Sequence, residues 1–444
     1  MNTNELVEAM VQRLGTELKG LLEQVQGGQL PASAVETVVR QKVWHFGGQA
    51  VAVLLEALDQ KLVESRPVHD RRTRTVVTLF GPIDVSRSRC QDGRYPMDEA
   101  LGLVGQQGWT VAVQEAVCLL SCECSFETSS DLMERLLGLS ISAPSIQQIS
   151  QQAGQRASAL RACVALRRAG VNVGEEQPDL QTSVNSVEPK PRLMGQTLVV
   201  GIDGCQAPRR DGWHEVKVAT VYRNESRCRK ASGRGRVLEK QYVASVEKAE
   251  GFGRRLWEVA LTWGIEQVHR VVCMGDGAVW IWNLVAEHFP GAIEIVDFYH
   301  ALEHLWQVGE ALWGDRGRSE QTRGWVHHYR KQLRRGRVDL VIAAIERGQE
   351  RLKDELSAEG RDIVRRNLEY FRANRGRMEY ARYRRMGLSI GTGIVEGSCK
   401  FVVQSRFKRP GSRWSEDGLR WLLALKLMRL NNRWESLWPH LKAA

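Results

Sequence analysis

The sequence feature that most constrains the fold is a series of short apolar segments after residue 197, two of which end in Asp-Gly. The segment TLVVGIDG runs into Asp203, and the segment HRVVCMGDG runs into Asp276. Uninterrupted runs of β-branched and other apolar residues are typical of strands that are buried on both faces of a sheet. The two segments therefore predict central strands that bring two carboxylates to one edge of a sheet.

The order of elements around these segments narrows the fold class. Strands are predicted for HEVKVATVYR from His214, VLEKQYVASV from Val237 and the short segment IEIVDF, and helices for residues 253–263 and 279–288. Three strands, a helix, a strand, a helix and a strand is the order of the ribonuclease-H-like fold, a mixed sheet flanked by helices. We predict such a core over residues 194–300.

Two neighbouring carboxylates repel each other and lose solvation unless a cation lies between them, which predicts a divalent metal site at Asp203 and Asp276. In two-metal nucleases one ion activates the attacking oxygen and the other stabilises the leaving oxygen, so we expect two Mg²⁺ or Mn²⁺ ions. Glu396, in IGTGIVEGSCK, is the predicted third ligand, and Asp297, at the end of the fifth strand, is its rival. The alternative for each Asp-Gly pair is a simple turn.

The amino-terminal third is predicted to be mostly helical. Apolar residues recur at helical spacing through residues 1–66, which predicts a packed helical hairpin or, alternatively, a self-association surface. Residues 67–170 are predicted to hold a β-hairpin at 72–90, around Gly81-Pro82, and then a helical region. Residues 171–193 are polar, contain proline and lack periodicity, which indicates a linker.

Within the helical region, two helical runs joined by a short turn predict a helix-turn-helix. Ser142 is the expected N-cap and Pro144 the first helical residue. The second helix, over about residues 145–154, would offer four polar side chains to DNA: Ser145, Gln147, Gln148 and Gln151. The alternative is an ordinary pair of packed helices.

The charge of the chain favours a polyanionic partner, because 63 Lys and Arg residues against 52 Asp and Glu residues give a formal net charge of +11. One basic cluster, in the stretch 301–388 that is mostly helical by pattern, includes Arg330, Arg334 and Arg335; its alternative is a solvated helix face. The second cluster lies in the carboxyl-terminal segment 389–444, and Trp414 is a candidate for stacking on an unpaired base. Its basic residues are Lys400, Arg406, Lys408, Arg409 and Arg413.

Other features limit the class of protein. The sequence has no apolar run of about 18 residues and no signal-peptide core at its start, so no membrane association is expected. Nine cysteines without paired spacing indicate reduced thiols in a cytoplasm. Three of them, Cys118, Cys122 and Cys124, lie within an apolar helical pattern and are expected in the core rather than on zinc.

Three stretches of the chain resemble a known family. VVGIDG at 199–204, GDGAVWIWNLVAEHFPGAIEIVDFYHALEHLW at 275–306 and GTGIVEGSCK at 391–400 are similar to the transposases of ISKra-type bacterial insertion sequences, which belong to the Mutator-like DDE superfamily. The resemblance extends over roughly residues 82–438. It implies that Asp203, Asp276 and Glu396 are the catalytic acids and metal ligands, with an all-helical insertion before the glutamate.

The resemblance also covers Asp297 and His300, which match a signature that follows the second acid in that superfamily. We expect both to support the active site, although His300 and His304 are spaced as a histidine pair that can bind zinc. One departure is that similar transposases commonly carry a cysteine-rich knuckle near Cys90, where this chain keeps a single cysteine. That difference argues against a zinc ribbon here.

The expected protein is thus a multidomain α+β transposase of the bacterial cytoplasm, associated with the nucleoid. It would bind the terminal inverted repeats of double-stranded DNA, cleave the DNA and transfer the strand. Since two ends must be joined, we expect at least a homodimer in the synaptic complex. The alternatives are a catalytically inactive DNA-binding protein derived from a transposase, or a ribonuclease-H-like nuclease.

Overall fold

The computed structural model describes residues 3–103, 108–168, 195–229, 235–391 and 393–438. The chain divides into two compact units, one formed by Met1–Gln155 with Glu435–Ala444 and the other by Arg156–Trp434. The predicted linker at 171–193 lies outside the described residues. None of the helices in the described part of the chain is long and apolar enough to cross a membrane.

The first unit begins with the predicted helices and hairpin. Helices α1 (Thr3–Gln26) and α2 (Ala32–Leu62) confirm the helical amino terminus. Strands β1 (Val68–Thr78) and β2 (Gly81–Cys90) pair antiparallel and confirm the predicted β-hairpin. Gly81, the first residue of the second strand, has a φ of +103°, a backbone conformation that favours glycine.

A buried carboxylate ties this hairpin to α2. Asp59 is fully buried and accepts hydrogen bonds from the backbone N–H of Ser88 at 3.0 Å and from its hydroxyl at 2.6 Å. The Arg71 guanidinium lies 3.8 Å from the same carboxylate. A buried charge is costly unless it is paired and hydrogen-bonded, so these contacts favour one position of the hairpin on the helix.

Further helices lie in the region where a helix-turn-helix is predicted. They are α3 (Pro96–Ala100), α4 (Val111–Ser121), α5 (Phe126–Leu137) and α6 (Ala143–Arg168), of which α6 continues past Gln155 into the second unit. The predicted N-cap is confirmed, because the Ser142 hydroxyl accepts a hydrogen bond from Ser145 N at 3.4 Å. The helix begins at Ala143, one residue before Pro144, and continues well past the predicted end. Cys118 and Cys122 are buried, as expected of core positions, whereas Cys124 is only half-buried.

The second unit is built on a five-stranded sheet in the order β7-β4-β3-β8-β9. Only β4 runs against the other strands, since it pairs antiparallel with β3 and β7 while β3, β8 and β9 pair parallel. The sheet strands are β3 (Thr197–Arg209), β4 (Gly212–Arg223), β7 (Lys240–Ser245), β8 (Arg270–Gly275) and β9 (Ile293–Val296); β5 (Arg227–Arg229) and β6 (Gly235–Val237) form a separate pair.

The predicted sequence of strands and helices is confirmed, with differences at strand ends. Strand β3 does not end at Asp203 but continues to Arg209, because its antiparallel pairing with β4 extends to the turn at Gly212. The third sheet strand begins at Lys240 rather than at Val237, which pairs in β6 instead. Asp203 is therefore inside a strand.

Helices cover the sheet and form the predicted insertion. Helices α7 (Ala249–Thr262) and α8 (Val279–His288) flank the sheet. Within the insertion predicted at 301–388, the structure has the helices α9 (Phe298–Trp313), α10 (Glu320–Arg334), α11 (Val338–Arg351), α12 (Ala358–Ala373) and α13 (Tyr380–Arg385). One buried apolar cluster runs from the central strands into the insertion, so the sheet and the insertion share a core.

The chain then returns to the sheet. Helix α14 (Gly393–Cys399) is followed directly by a π-helical turn at Lys400–Gln404 and a last turn, α15 (Ser405–Phe407). Helix α16 (Glu416–Leu430) ends the second unit and is buried along most of its length.

Two buried tyrosines of the insertion are predicted to respond differently to loss of the hydroxyl. The Tyr380 hydroxyl is buried without a hydrogen-bond partner among the described residues, whereas the Tyr383 hydroxyl lies 3.1 Å from the Glu294 carbonyl. A buried hydroxyl without a partner costs free energy. Tyr380→Phe should thus leave the free energy of unfolding unchanged or raise it, and Tyr383→Phe should lower it by about 1 kcal/mol. Urea denaturation measures both, and the reverse ranking would contradict this packing.

Candidate active site

Three aspartates lie at the same level on three neighbouring parallel strands. Asp203 belongs to β3, Asp276 directly follows β8 and Asp297 directly follows β9. The residues two positions before them are paired in one row across the three strands. Because adjacent strands are about 4.8 Å apart, this register brings the three residues to one edge of the sheet.

Asp203, at one end of the row, has a carboxylate whose ionised form is disfavoured by burial. Its carboxylate is half-buried, and it accepts hydrogen bonds from Gly204 N at 2.7 Å and from the Cys399 thiol at 3.3 Å. Burial raises the pKa of Asp203 above its usual value, and the negative charge of Asp276 raises it further. Two acids are thus close enough to repel each other.

Asp276, in the middle of the row, sits in a tight turn. Its carboxylate accepts a hydrogen bond from Ala278 N at 2.9 Å, and its carbonyl accepts one from the Tyr370 hydroxyl at 2.9 Å. Gly277 has a φ of +108°, which favours glycine. The second Asp-Gly pair therefore forms a turn, as the alternative interpretation held, whereas the first lies within a strand.

Asp297 completes the row and also caps a helix. It is only 6% exposed, and its Oδ1 accepts from Tyr299 N at 2.6 Å and from His300 N at 3.2 Å. Its own N–H donates to the Gly275 carbonyl at 2.8 Å, which continues the pairing of β8 and β9. The rival third acid is thus at the sheet edge, with one carboxylate oxygen engaged in the N-cap of α9.

Glu396 is exposed on α14, which packs against the two central strands. Three contacts fix that helix: Val395 against Gly201, the Ser398 hydroxyl 2.6 Å from that of Thr220, and the Cys399 thiol on Asp203. Glu396 lies one helical turn before Cys399, and residues at that spacing are neighbours on a helix surface. The helix therefore brings Glu396 toward the end of the sheet where Asp203 lies.

The described residues contain no group of three or more His, Cys, Asp or Glu side chains arranged to hold a metal ion. The structure brings Asp203, Asp276 and Asp297 to one edge, but it does not gather Glu396 with them into a ligand set.

Two histidines and two side chains of the insertion lie beside the aspartate row. The Nε2 atoms of His300 and His304 are 3.2 Å apart, and the Nδ1 of His304 is 2.6 Å from the Asn367 Oδ1. The Tyr370 ring stacks on His304 with centroids 3.6 Å apart. Burial lowers the pKa of His304. Sequence reasoning found the histidine pair by its spacing but missed Asn367 and Tyr370, which have no local pattern that marks them.

The first basic cluster is accessible. Arg330, Arg334 and Arg335 are all exposed at the carboxyl-terminal end of α10. In the second cluster, Lys400, Lys408 and Arg413 are exposed and Arg409 is half-buried.

Two side chains expected at a DNA surface are buried, which corrects that prediction. Arg406 is 2% exposed, and its guanidinium lies over the Trp414 ring at 4.9 Å from the centroid. Trp414 is 7% exposed and donates its indole N–H to the Phe407 carbonyl at 3.0 Å. The stacked pair packs into the fold, so neither side chain presents a face to DNA.

Trp213 is an exposed aromatic side chain that the sequence reasoning missed. It is 59% exposed beside the β3–β4 turn, and the Lys408 ammonium lies 5.4 Å from its ring centroid. The sequence pattern that could have indicated an exposed Trp213 is an Asp-Gly-Trp turn preceded by Arg209 and Arg210.

The four polar residues predicted on the second helix of the helix-turn-helix differ in accessibility. Gln148 is exposed, whereas Gln147 and Gln151 are half-buried. The Ser145 hydroxyl lies 2.9 Å from that of Ser142 and takes part in the helix cap. Gln148 is thus the most accessible of the four.

The fold and this edge of aspartates define a protein of two units, one of them an α/β unit with an acidic sheet edge and a helical insertion. The family model described as "Uncharacterised protein family (UPF0236)" matches residues 29–435. The chain belongs to this family. It is also 23% identical over 402 residues to the "UPF0236 protein in vanSb 3'region" of Streptococcus gallolyticus, which covers 87% of this chain and 80% of that protein.

The close approach of α14 to the sheet predicts that Gly201→Ala is destabilising. A Cβ at Gly201 would overlap Val395 Cγ2, whereas a Cβ at Gly397, on the same helix, would meet nothing within 4 Å. Overpacking of this kind costs about 1–3 kcal/mol, so Gly201→Ala should lower the free energy of unfolding by that amount. Gly397→Ala, the control, should maintain or raise it. Equal stability of the two variants in chemical denaturation would show that the helix does not pack this closely.

Proposed function

We propose that this protein is a metal-dependent DDE-type transposase, which binds the inverted repeats at the ends of its element, cleaves the DNA and transfers the strand. The observation that carries the proposal is the pair Asp203 and Asp276, held at one level on adjacent parallel strands, where burial and then the charge of Asp276 raise the pKa of Asp203. The strand order with a single antiparallel strand supports the proposed ribonuclease-H-like core. The resemblance to ISKra-type transposases supports the same function.

The donors at this edge fit Mg²⁺ or Mn²⁺. Carboxylate oxygens are the ligands that these cations prefer, and a cation at this edge would stabilise the ionised form of Asp203, whose pKa is raised by burial and by the charge of Asp276. Bound ions would supply activation of the attacking oxygen and stabilisation of the leaving oxygen. Asp203 and Asp276 would hold them, and the Cys399 thiol would have to release the oxygen of Asp203 that it contacts.

The third ligand is proposed to be Glu396. Its side chain is exposed and lies on a helix whose next turn is π-helical, a distortion that is frequent at functional sites. Asp297 remains the alternative, since it shares the sheet edge. Because the Asp297 side chain caps α9, we favour Glu396 as the metal ligand and Asp297 as a residue that supports the active site.

The exposed basic residues are proposed to bind DNA phosphates. Arg330, Arg334 and Arg335 present positive charge on the insertion, and Lys400, Lys408 and Arg413 follow Glu396 in the chain. Trp213, beside Lys408, replaces Trp414 as the residue proposed to stack on an unpaired base.

Recognition of the repeats is proposed for the first unit, with Gln148 on α6 as its most accessible polar side chain. The reaction joins two ends, so a homodimer or larger assembly is proposed for the synaptic complex. A catalytically inactive DNA-binding protein is the second candidate, favoured by the absence of a three-ligand set among the described residues.

Loss of either aspartate should separate cleavage from binding. Asp203→Asn and Asp276→Asn should each reduce cleavage of a duplex carrying the element's ends by more than about 100-fold, because each removes a ligand of the ions that stabilise the transition state. End binding in a gel-shift assay should persist. Asp417→Asn, at an exposed acid paired with Arg420, is the control and should cleave normally. A chain that binds ends but never cleaves them, with or without Mn²⁺, would support the inactive alternative.

Thermal unfolding tests the metal site without DNA. The raised pKa of Asp203 means that the folded state holds this proton more tightly than the unfolded state, so stability falls as pH rises from about 4 through the folded pKa. At neutral pH in a chelator, Asp203→Asn should therefore have a higher Tm than the parent protein. Added Mn²⁺ should raise the Tm of the parent and leave that of the variant unchanged. Equal shifts for both proteins would place the bound ion elsewhere.

A further inference from the structure

We propose that Tyr370, which the helical insertion supplies, is a positioning residue for the metal ligand Asp276. The inference rests on the proposed function, because it assigns Asp276 as a ligand. Tyr370 lies on α12, 94 residues further along the chain, and its hydroxyl donates to the Asp276 carbonyl at 2.9 Å. The insertion thus contacts the backbone of the residue whose carboxylate must point at the ion.

The turn at the end of β8 is shaped for this contact. A Cβ at Gly277 would lie 2.5 Å from Tyr370 Cε2 and 3.1 Å from its hydroxyl oxygen. A Cβ cannot lie so close to a ring that is held in place. In addition, φ at Gly277 is +108°, a conformation that favours glycine. Glycine at 277 is therefore needed both for the turn and for the tyrosine that closes over it.

The ring of Tyr370 is held by stacking, and its backbone by a hydrogen bond. It stacks on the His304 ring at 3.6 Å between centroids and 18° between planes, and His304 is held in turn by Asn367 at 2.6 Å. The Asn374 amide donates to the Tyr370 carbonyl at 3.1 Å. Because α9 and α12 both contribute to this set of contacts, the direction of the hydroxyl is fixed by the packing of the insertion.

The Tyr370 hydroxyl also remains a donor. An ordinary phenol is un-ionised at neutral pH and therefore donates its hydroxyl proton. A neutral phenol on the carbonyl, together with the Ala278 N–H on the Asp276 carboxylate, restrains both the backbone and the side chain of the ligand. Groups that orient a metal ligand in this way typically change metal affinity when they are removed.

The test compares two hydroxyl deletions in the full-length protein. Tyr370→Phe keeps the ring on His304 and removes only the bond to Asp276. Tyr383→Phe is the matched control, because its hydroxyl also reaches from the insertion to a carbonyl of the sheet, that of Glu294. Mn²⁺ binding, followed by the electron paramagnetic resonance of free Mn²⁺, should weaken about 10–100-fold in Tyr370→Phe and stay within about twofold of the parent in Tyr383→Phe.

A third variant separates this inference from the function on which it rests. If Asp276→Asn binds Mn²⁺ as the parent does, the proposed metal site is wrong. If Asp276→Asn loses binding while Tyr370→Phe retains it, the metal site stands and Tyr370 has no positioning role. If Mn²⁺ binding weakens equally in Tyr370→Phe and Tyr383→Phe, with equal loss of thermal stability, Tyr370 contributes only to packing and the inference is overturned.

Discussion

The close approach of Asp203 and Asp276 at one edge of the sheet is the constraint on which the proposed site depends. Parallel pairing of β3 and β8 brings the two residues to the same level on adjacent strands, and partial burial denies them full solvation. A fold gains nothing in stability from such a pair. Two half-buried carboxylates so close together cost free energy in the protein alone, and a bound cation would offset that cost. We therefore interpret the pair as a site for divalent cations rather than as a structural feature.

The elements around the pair are placed by close contacts rather than by long-range charge. Gly201 lets α14 lie directly on the central strands, and so brings Cys399 to Asp203. Gly277 lets Tyr370 reach the backbone of Asp276 from the other side. Two segments far apart in sequence thus pack beside the acidic edge, α14 at Gly201 and α12 at Gly277. A larger residue at either glycine would displace the segment that packs there.

Much of this was predictable from the sequence, because buried strands are apolar runs and the two Asp-Gly pairs end or interrupt such runs. The order of strands and the helices of the insertion followed from local periodicity. The continuation of β3 past Asp203 did not, since it depends on pairing with β4, a partner defined only by the folded sheet. The burial of Arg406 under Trp414 and the contact of Tyr370 with Asp276 likewise depend on tertiary packing, which overrides what composition alone indicates.

The most direct test of the central claim is the location of Mn²⁺ by anomalous scattering in crystals grown with the metal and a duplex. The account predicts ion density between the Asp203 and Asp276 carboxylates, with Glu396 turned from solvent to complete the coordination. Density confined to another site, such as the His300 and His304 pair, with the two aspartates still in contact only with the protein, would contradict it.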